Sequence, residues 1–293
     1  MFYHPNGQPV DLELEAKHLD GLIHYLRQLH EDVLPRSMEN SVKILLGTLP
    51  FFGNLRAEKK FPRVLRLTNS SGRLRNERVT QIADLKSPPR EIVTWYNRCY
   101  MPGESMFYGA FDPMTLVEEI CPQTNDLVTI STWELISDYR ITYCPVFQNQ
   151  PAVSYNLLTE HYKMLQYVKT MEFPVELRPM IESLSRFVAY TFTRPCPSKN
   201  DMEYFFCGYF ASRMLNDMGV DNAEAILYPS VKAGLTRQNI AIKPEVIDNH
   251  YKLVKVEEYI VGSSLRYSDE AIIIHGSQVC EHFDYEKGTI LWD

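Results

Sequence analysis

Arg98, Tyr108 and Glu119 lie within one short stretch, RCYMPGESMFYGAFDPMTLVEE. A guanidinium grips phosphate oxygens through paired N–H groups, and a fixed carboxylate stabilises positive charge growing on a neighbouring sugar. With a strand tyrosine between them, these types could hold an anionic nucleotide and act on its sugar. Far downstream, AILYPSVKAGLTRQNIAIKP sets Ser230 behind a proline between two apolar segments. The chemistry requires the two islands to meet in one site.

Taken singly, each residue has a plainer reading. Arg98 could form an exposed ion pair, and Tyr108 could be a core aromatic. Glu118 and Glu119 fall near the end of a short helix, where the helix dipole favours cations, so they read as a solvated face. Ser230 could be a turn residue. With no histidine–acid pattern beside it, Ser230 is a poor nucleophile, so its role in a site would be binding.

The elements that must position these residues follow from local pattern. Met106 to Phe111 reads as a strand. Asp112-Pro113 then starts a helix, with a side-chain cap followed by proline in the first turn, and the helix runs to Pro122. Residues 127–135 alternate apolar and polar as a strand does. A helix is expected over 11–34, ended by Pro35, with apolar 41–52 packing it onto the body. Residues 64–68 read as a first strand and 69–90 as a long polar loop. Helices are expected over 176–192 and from Phe205 to Leu215, the second closed by Gly219. Residues 193–201 read as a loop ending in a helix start. Strands are expected at 225–231, 238–243, 251–260 and 271–275, while 145–175 shows no clear pattern. Without strict strand–helix alternation the fold class is α+β.

The chain has 293 residues, 45% of them hydrophobic, enough for a substantial core. Its net charge of −7 argues against duplex nucleic acid as a partner. No apolar run is long enough to cross a bilayer and the start lacks a signal-peptide pattern, so a cytoplasmic location is expected. Six cysteines without a CxxC pair read as reduced thiols. There is no HExxH, and His18, His24 and His30 fall on different sides of a helix. Cys280-Glu281-His282 reads as a strand with alternating faces rather than a metal site. No metal cofactor is expected, and the common glycine-rich phosphate loops are absent.

In this order and spacing the pieces resemble the RES-domain family, from about Phe61 to Pro244. FPRVLRLTN resembles its opening strand with an arginine, SPP and NRCYMPGESMFYGAF its second arginine block and tyrosine strand, and TLVEE its glutamate helix. NDMEYFFCGYFASRMLND resembles the helix before the last motif, and LYPSVK the serine motif. The resemblance implies a fold similar to ADP-ribosyltransferases: a mixed sheet core with flanking helices. Here a helical extension over 1–60 would pack on a catalytic domain of 61–293. It implies NAD as substrate and cleavage of the nicotinamide–ribose bond, with water or phosphate as acceptor. It also implies a toxin paired with an antitoxin protein. The alternatives are a mono-ADP-ribosyltransferase acting on a macromolecule and a non-catalytic scaffold that binds a nucleotide or partner. Carried over by position, Glu119, Arg98 and Tyr108 are catalytic, while Arg66, Arg98, Tyr108 and Ser230 bind NAD. Arg63 stands as an alternative to Arg66. Tyr100 occupies a place where the family more often has asparagine, which bears on how the Arg98 loop is bonded. The N-terminal helix could fold over the cleft or mediate a dimer.

Overall fold

The computed structural model describes residues 11–49, 57–71, 74, 77–146, 178–196, 200–216, 223–262 and 274–292. The expectations for 50–52, 147–175, Gly219 and 271–273 lie outside these residues.

Helix α1, Leu12–Glu31, begins where Asp11 accepts hydrogen bonds from the backbone of Glu13 and Leu14. Its helical spacing buries Leu19, Ile23, Leu26 and His30 on one face. Helix α2, Glu39–Gly47, buries Val42 and Leu46. Both enter the same cluster as Phe187 and Phe192 of α4 (Arg178–Thr193) and Phe205, Phe206 and Phe210 of α5 (Phe205–Asn216). Each such aromatic contributes roughly 1.5–3 kcal/mol on burial. The N-terminal helices therefore share the main core with the rest of the chain. Arg194 ties α1 down further, donating to the carbonyls of His30 and, at 2.8 Å, Glu31 at the helix end.

These helices cover a nine-stranded sheet in the order β1-β5-β6-β7-β3-β2-β4-β8-β9. The strands are β1 (Ala57–Lys59), β2 (Arg63–Asn69), β3 (Phe107–Ala110), β4 (Leu127–Leu135), β5 (Ile141–Pro145), β6 (Ala225–Pro229), β7 (Gln238–Ile242), β8 (Tyr251–Val261) and β9 (Ile274–Cys280). All neighbours run antiparallel except β5 and β6. Alternation divides the core between two faces. Ile226, Tyr228 and Ala241 meet the helical layer, whereas Ala225, Leu227, Ile240 and Ile242 join Trp133 and Leu253 beneath. Helix α3, Pro113–Ile120, lays Leu116 and Val117 on Leu65, Leu67, Val128 and Ile130. The molecule is α+β with one large mixed sheet and flanking helices.

Several elements depart from expectation. β5 is a short run ending in proline, and its pairing depends on β6, far away in the chain. Helix α6, Pro244–His250, has proline in its first turn but is too short for periodicity to reveal. The loop of 69–90 contains a 3-10 turn at Ile82–Leu85 that buries Ile82 and Leu85, so it is packed in part. β9 ends at Cys280, and Glu281 and His282 lie beyond it, so that triplet is not an alternating strand. One break in the sheet matters most: β2 and β3 pair only through Leu65 and Ala110.

Candidate functional site

At that break Arg66 replaces the missing backbone ladder. Its Nη1 donates to the Tyr108 carbonyl at 3.0 Å, and its guanidinium lies 5.2 Å from the centre of the Phe107 ring. Its Nε is buried without a hydrogen-bond partner. Burial holds the Arg66 pKa down to about 10, so it is still a cation at neutral pH. Arg66 is thus a half-buried cation lining a cavity, with no carboxylate partner among the described residues. Arg63, the alternative, points to the surface and pairs with Glu134 at 2.6 Å.

Arg98 sits in a loop closed upon itself. Asn97 and Tyr100 form a backbone bridge, and the Asn97 Oδ1 accepts from the Arg98 N–H at 2.7 Å. The Tyr100 hydroxyl accepts from Trp95 Nε1 at 3.0 Å and Asn97 Nδ2 at 3.1 Å. Tyr100 thus knits the loop together. Gly103, at φ +83°, turns the chain back, and its N–H meets the Val93 carbonyl at 2.8 Å. Helix α5 presses on this loop through Gly208, where an added Cβ would lie 2.8 Å from the Tyr100 oxygen and 2.9 Å from that of Asn97.

The Arg98 side chain is only 9% exposed. Nη1 donates to the Phe192 carbonyl, and both terminal nitrogens reach the Arg194 carbonyl at 3.5 Å. It therefore caps the end of α4 and lies 5.3 Å from the centre of the Tyr204 ring. No carboxylate among the described residues neutralises it.

Tyr108 accepts the Cys99 N–H on its hydroxyl oxygen at 2.7 Å. Burial pushes its pKa well up, so it stays a neutral O–H.

Glu119 closes α3. Asp112 caps the start of that helix, accepting from Thr115 N at 2.9 Å and Thr115 Oγ1 at 2.6 Å. Cys121, at φ 49°, ends it in the left-handed region. The Ser230 hydroxyl donates to Glu119 Oε1 at 2.5 Å, and the Asn239 amide donates to the same oxygen at 2.7 Å. Lys232 Nζ donates to the Glu119 carbonyl at 2.7 Å. The two distant islands do meet.

Arg66, Arg98, Tyr108 and Glu119 line one cleft of about 600 Å³, a size ordinary for a small-molecule site. Tyr100, Tyr204 and Tyr228 supply aromatic wall. Ser230 does not reach it. It is fully buried behind Glu119, with its oxygen also taking the Ala233 N–H at 3.1 Å. Its position suits orienting the carboxylate rather than touching a ligand. Motif reading passed over Asn239, Lys232, Tyr204 and Tyr228. A signal existed for Asn239: it is a polar residue in an apolar strand, and such residues are buried only with a partner. Among the described lining residues, three cations stand against one carboxylate, a positive balance in an acidic chain.

No protein-family model and no curated protein matches this chain. Among the described residues, no group of three or more His, Cys, Asp or Glu side chains could hold a metal ion. None of their helices is long and apolar enough to cross a membrane.

Proposed function

We propose that this chain is a RES-type enzyme that binds NAD in the cleft and cleaves its nicotinamide–ribose bond. Water or inorganic phosphate takes the ADP-ribosyl group. The observation that carries the reading is Glu119, held by Ser230, in the same cleft as Arg66, a cation with no carboxylate partner among the described residues.

The chemistry asks little of an acid catalyst. As the bond breaks, its electron pair neutralises the pyridinium, and nicotinamide leaves without a proton. Positive charge passes to the ribose, as in glycoside cleavage. A carboxylate beside the ring stabilises that charge and can bind a ribose hydroxyl, and Glu119 suits both tasks. Arg66 fits the diphosphate, because its planar fork lines the cleft and no carboxylate among the described residues neutralises it. Arg98 contributes charge more than bonds, since its terminal nitrogens already meet carbonyls. Tyr108, a neutral hydroxyl, serves as donor or stacking surface. The positive cleft attracts a substrate with two phosphates.

A toxin role, held in check by an antitoxin that covers the cleft, belongs to the same proposal. The test is nicotinamide release from NAD by the purified chain. Release by the wild type, with loss in Glu119→Gln and retained NAD binding, supports the reading. Binding without release by the wild type refutes it.

A further inference from the structure

Asn239 lies downstream of Ser230 in the same island of sequence and holds the same carboxylate oxygen. We propose that Asn239 is a positioning residue for the cleavage step. Its amide and the Ser230 hydroxyl together pin Oε1 of Glu119, so that Oε2 alone addresses the ribose. The inference rests on the NAD-cleaving reading.

Both donors converge on one oxygen, at 2.7 Å from Asn239 Nδ2 and 2.5 Å from Ser230 Oγ. Oε2 accepts no hydrogen bond from a described residue, and Glu119 faces the cleft. A glutamate near the end of a short helix has three rotatable side-chain bonds. Two fixed donors on Oε1 remove most of that freedom before substrate arrives, which is how a site lowers the entropy of its reacting arrangement. The amide orientation is set by charge: its oxygen turned toward a carboxylate would be repelled, so the NH2 faces Glu119.

The strand holding Asn239 is rigid. Asn239 pairs with Tyr228 of β6 on one side and Ala110 of β3 on the other. Ala110 immediately precedes the segment that caps α3, so one register sets both partners of the bond. The Asn239 side chain is 4% exposed and lines the cleft, whereas Ser230 lies behind it. Asn239 is thus the donor that holds Glu119 from the ligand's side, on an element that cannot drift.

The test uses the full chain and two near-isosteric changes. Asn239→Leu removes the donor, and Asn239→Asp opposes Glu119 with a second carboxylate. The expected result is a roughly 10- to 100-fold fall in kcat for Asn239→Leu, with the NAD dissociation constant changed less than about 3-fold. Asn239→Asp should fall further. An unchanged kcat overturns the proposal. Crystal structures of wild type and Asn239→Leu provide an arm independent of turnover. Glu119 should hold one rotamer in the first and several in the second, and an unmoved Glu119 overturns the positioning role. Absence of nicotinamide release by the wild type refutes the NAD reading instead, and the crystallographic arm still decides Asn239.

Discussion

The hydroxyl of Ser230 meets the carboxylate of Glu119 at 2.5 Å across 111 residues of chain. It predicts how Ser230→Ala will fail. A serine that touched NAD would raise KM when lost. A buried serine that aims Glu119 should instead lower kcat by about 10-fold, leaving KM nearly unchanged. Steady-state kinetics with NAD separates the two patterns.

Arg66 predicts a loss of binding with little change in stability. Arg66 is half-buried, with its Nε shielded and unpaired and no acidic partner among the described residues. Arg66→Met keeps the aliphatic stem and removes the charge. We expect NAD affinity to fall by about 10- to 100-fold, the value of one or two charge-assisted bonds. The thermal midpoint should change little, since relief of a partly buried charge is set against loss of the bond to the Tyr108 carbonyl. Titration calorimetry and thermal denaturation read the two effects separately.

His30 predicts acid sensitivity. It lies 1% exposed on α1, with its ring 5.0 Å from that of Phe206. Burial first, then Arg194 and Arg98, lower its pKa from 6.5 to about 3. Between those values the unfolded chain takes a proton that the folded one refuses. The stability it contributes is full above pH 6.5 and is lost as pH falls toward 3, at roughly 1.4 kcal/mol per pH unit. Denaturant unfolding between pH 4 and 7 should show this slope in the wild type and a shallower one in His30→Phe. Equal slopes would remove His30 from the acid response.

Local signals foretold much of this molecule. Asp112-Pro113 announced α3, alternation announced β4, and the apolar face of 205–215 announced α5. The residues Arg66, Arg98, Tyr108 and Glu119 were all chosen by motif and all line the cleft. What stayed hidden was relational. No pattern shows that β2 and β3 share a single residue pair, leaving Arg66 to fill the gap. Nor does one show that Arg98 spends its terminal nitrogens on the end of α4, or that Ser230 stands behind Glu119. β5 was missed for the same reason: its partner comes from distant chain.

Gly208 predicts a coupling between the helical layer and the cleft. The Arg98 loop and α5 approach so closely that a methyl group at Gly208 would fall 2.8 Å from one backbone oxygen and 2.9 Å from another. Backbone cannot swing aside as a flexible side chain can, so Gly208→Ala must move the helix or the loop. Overpacking of this kind costs about 1–3 kcal/mol, and the thermal midpoint should drop accordingly. The loop carries Arg98, and Tyr100 and Asn97 line the cleft with it, so NAD affinity should fall together with stability. Gly47→Ala gives the comparison. Its added Cβ would meet only the Tyr209 hydroxyl, at an ordinary 3.8 Å, and it should change neither quantity appreciably. If Gly208→Ala bound NAD as the wild type does, the loop would tolerate displacement, and Arg98 would not need the placement that α5 now enforces.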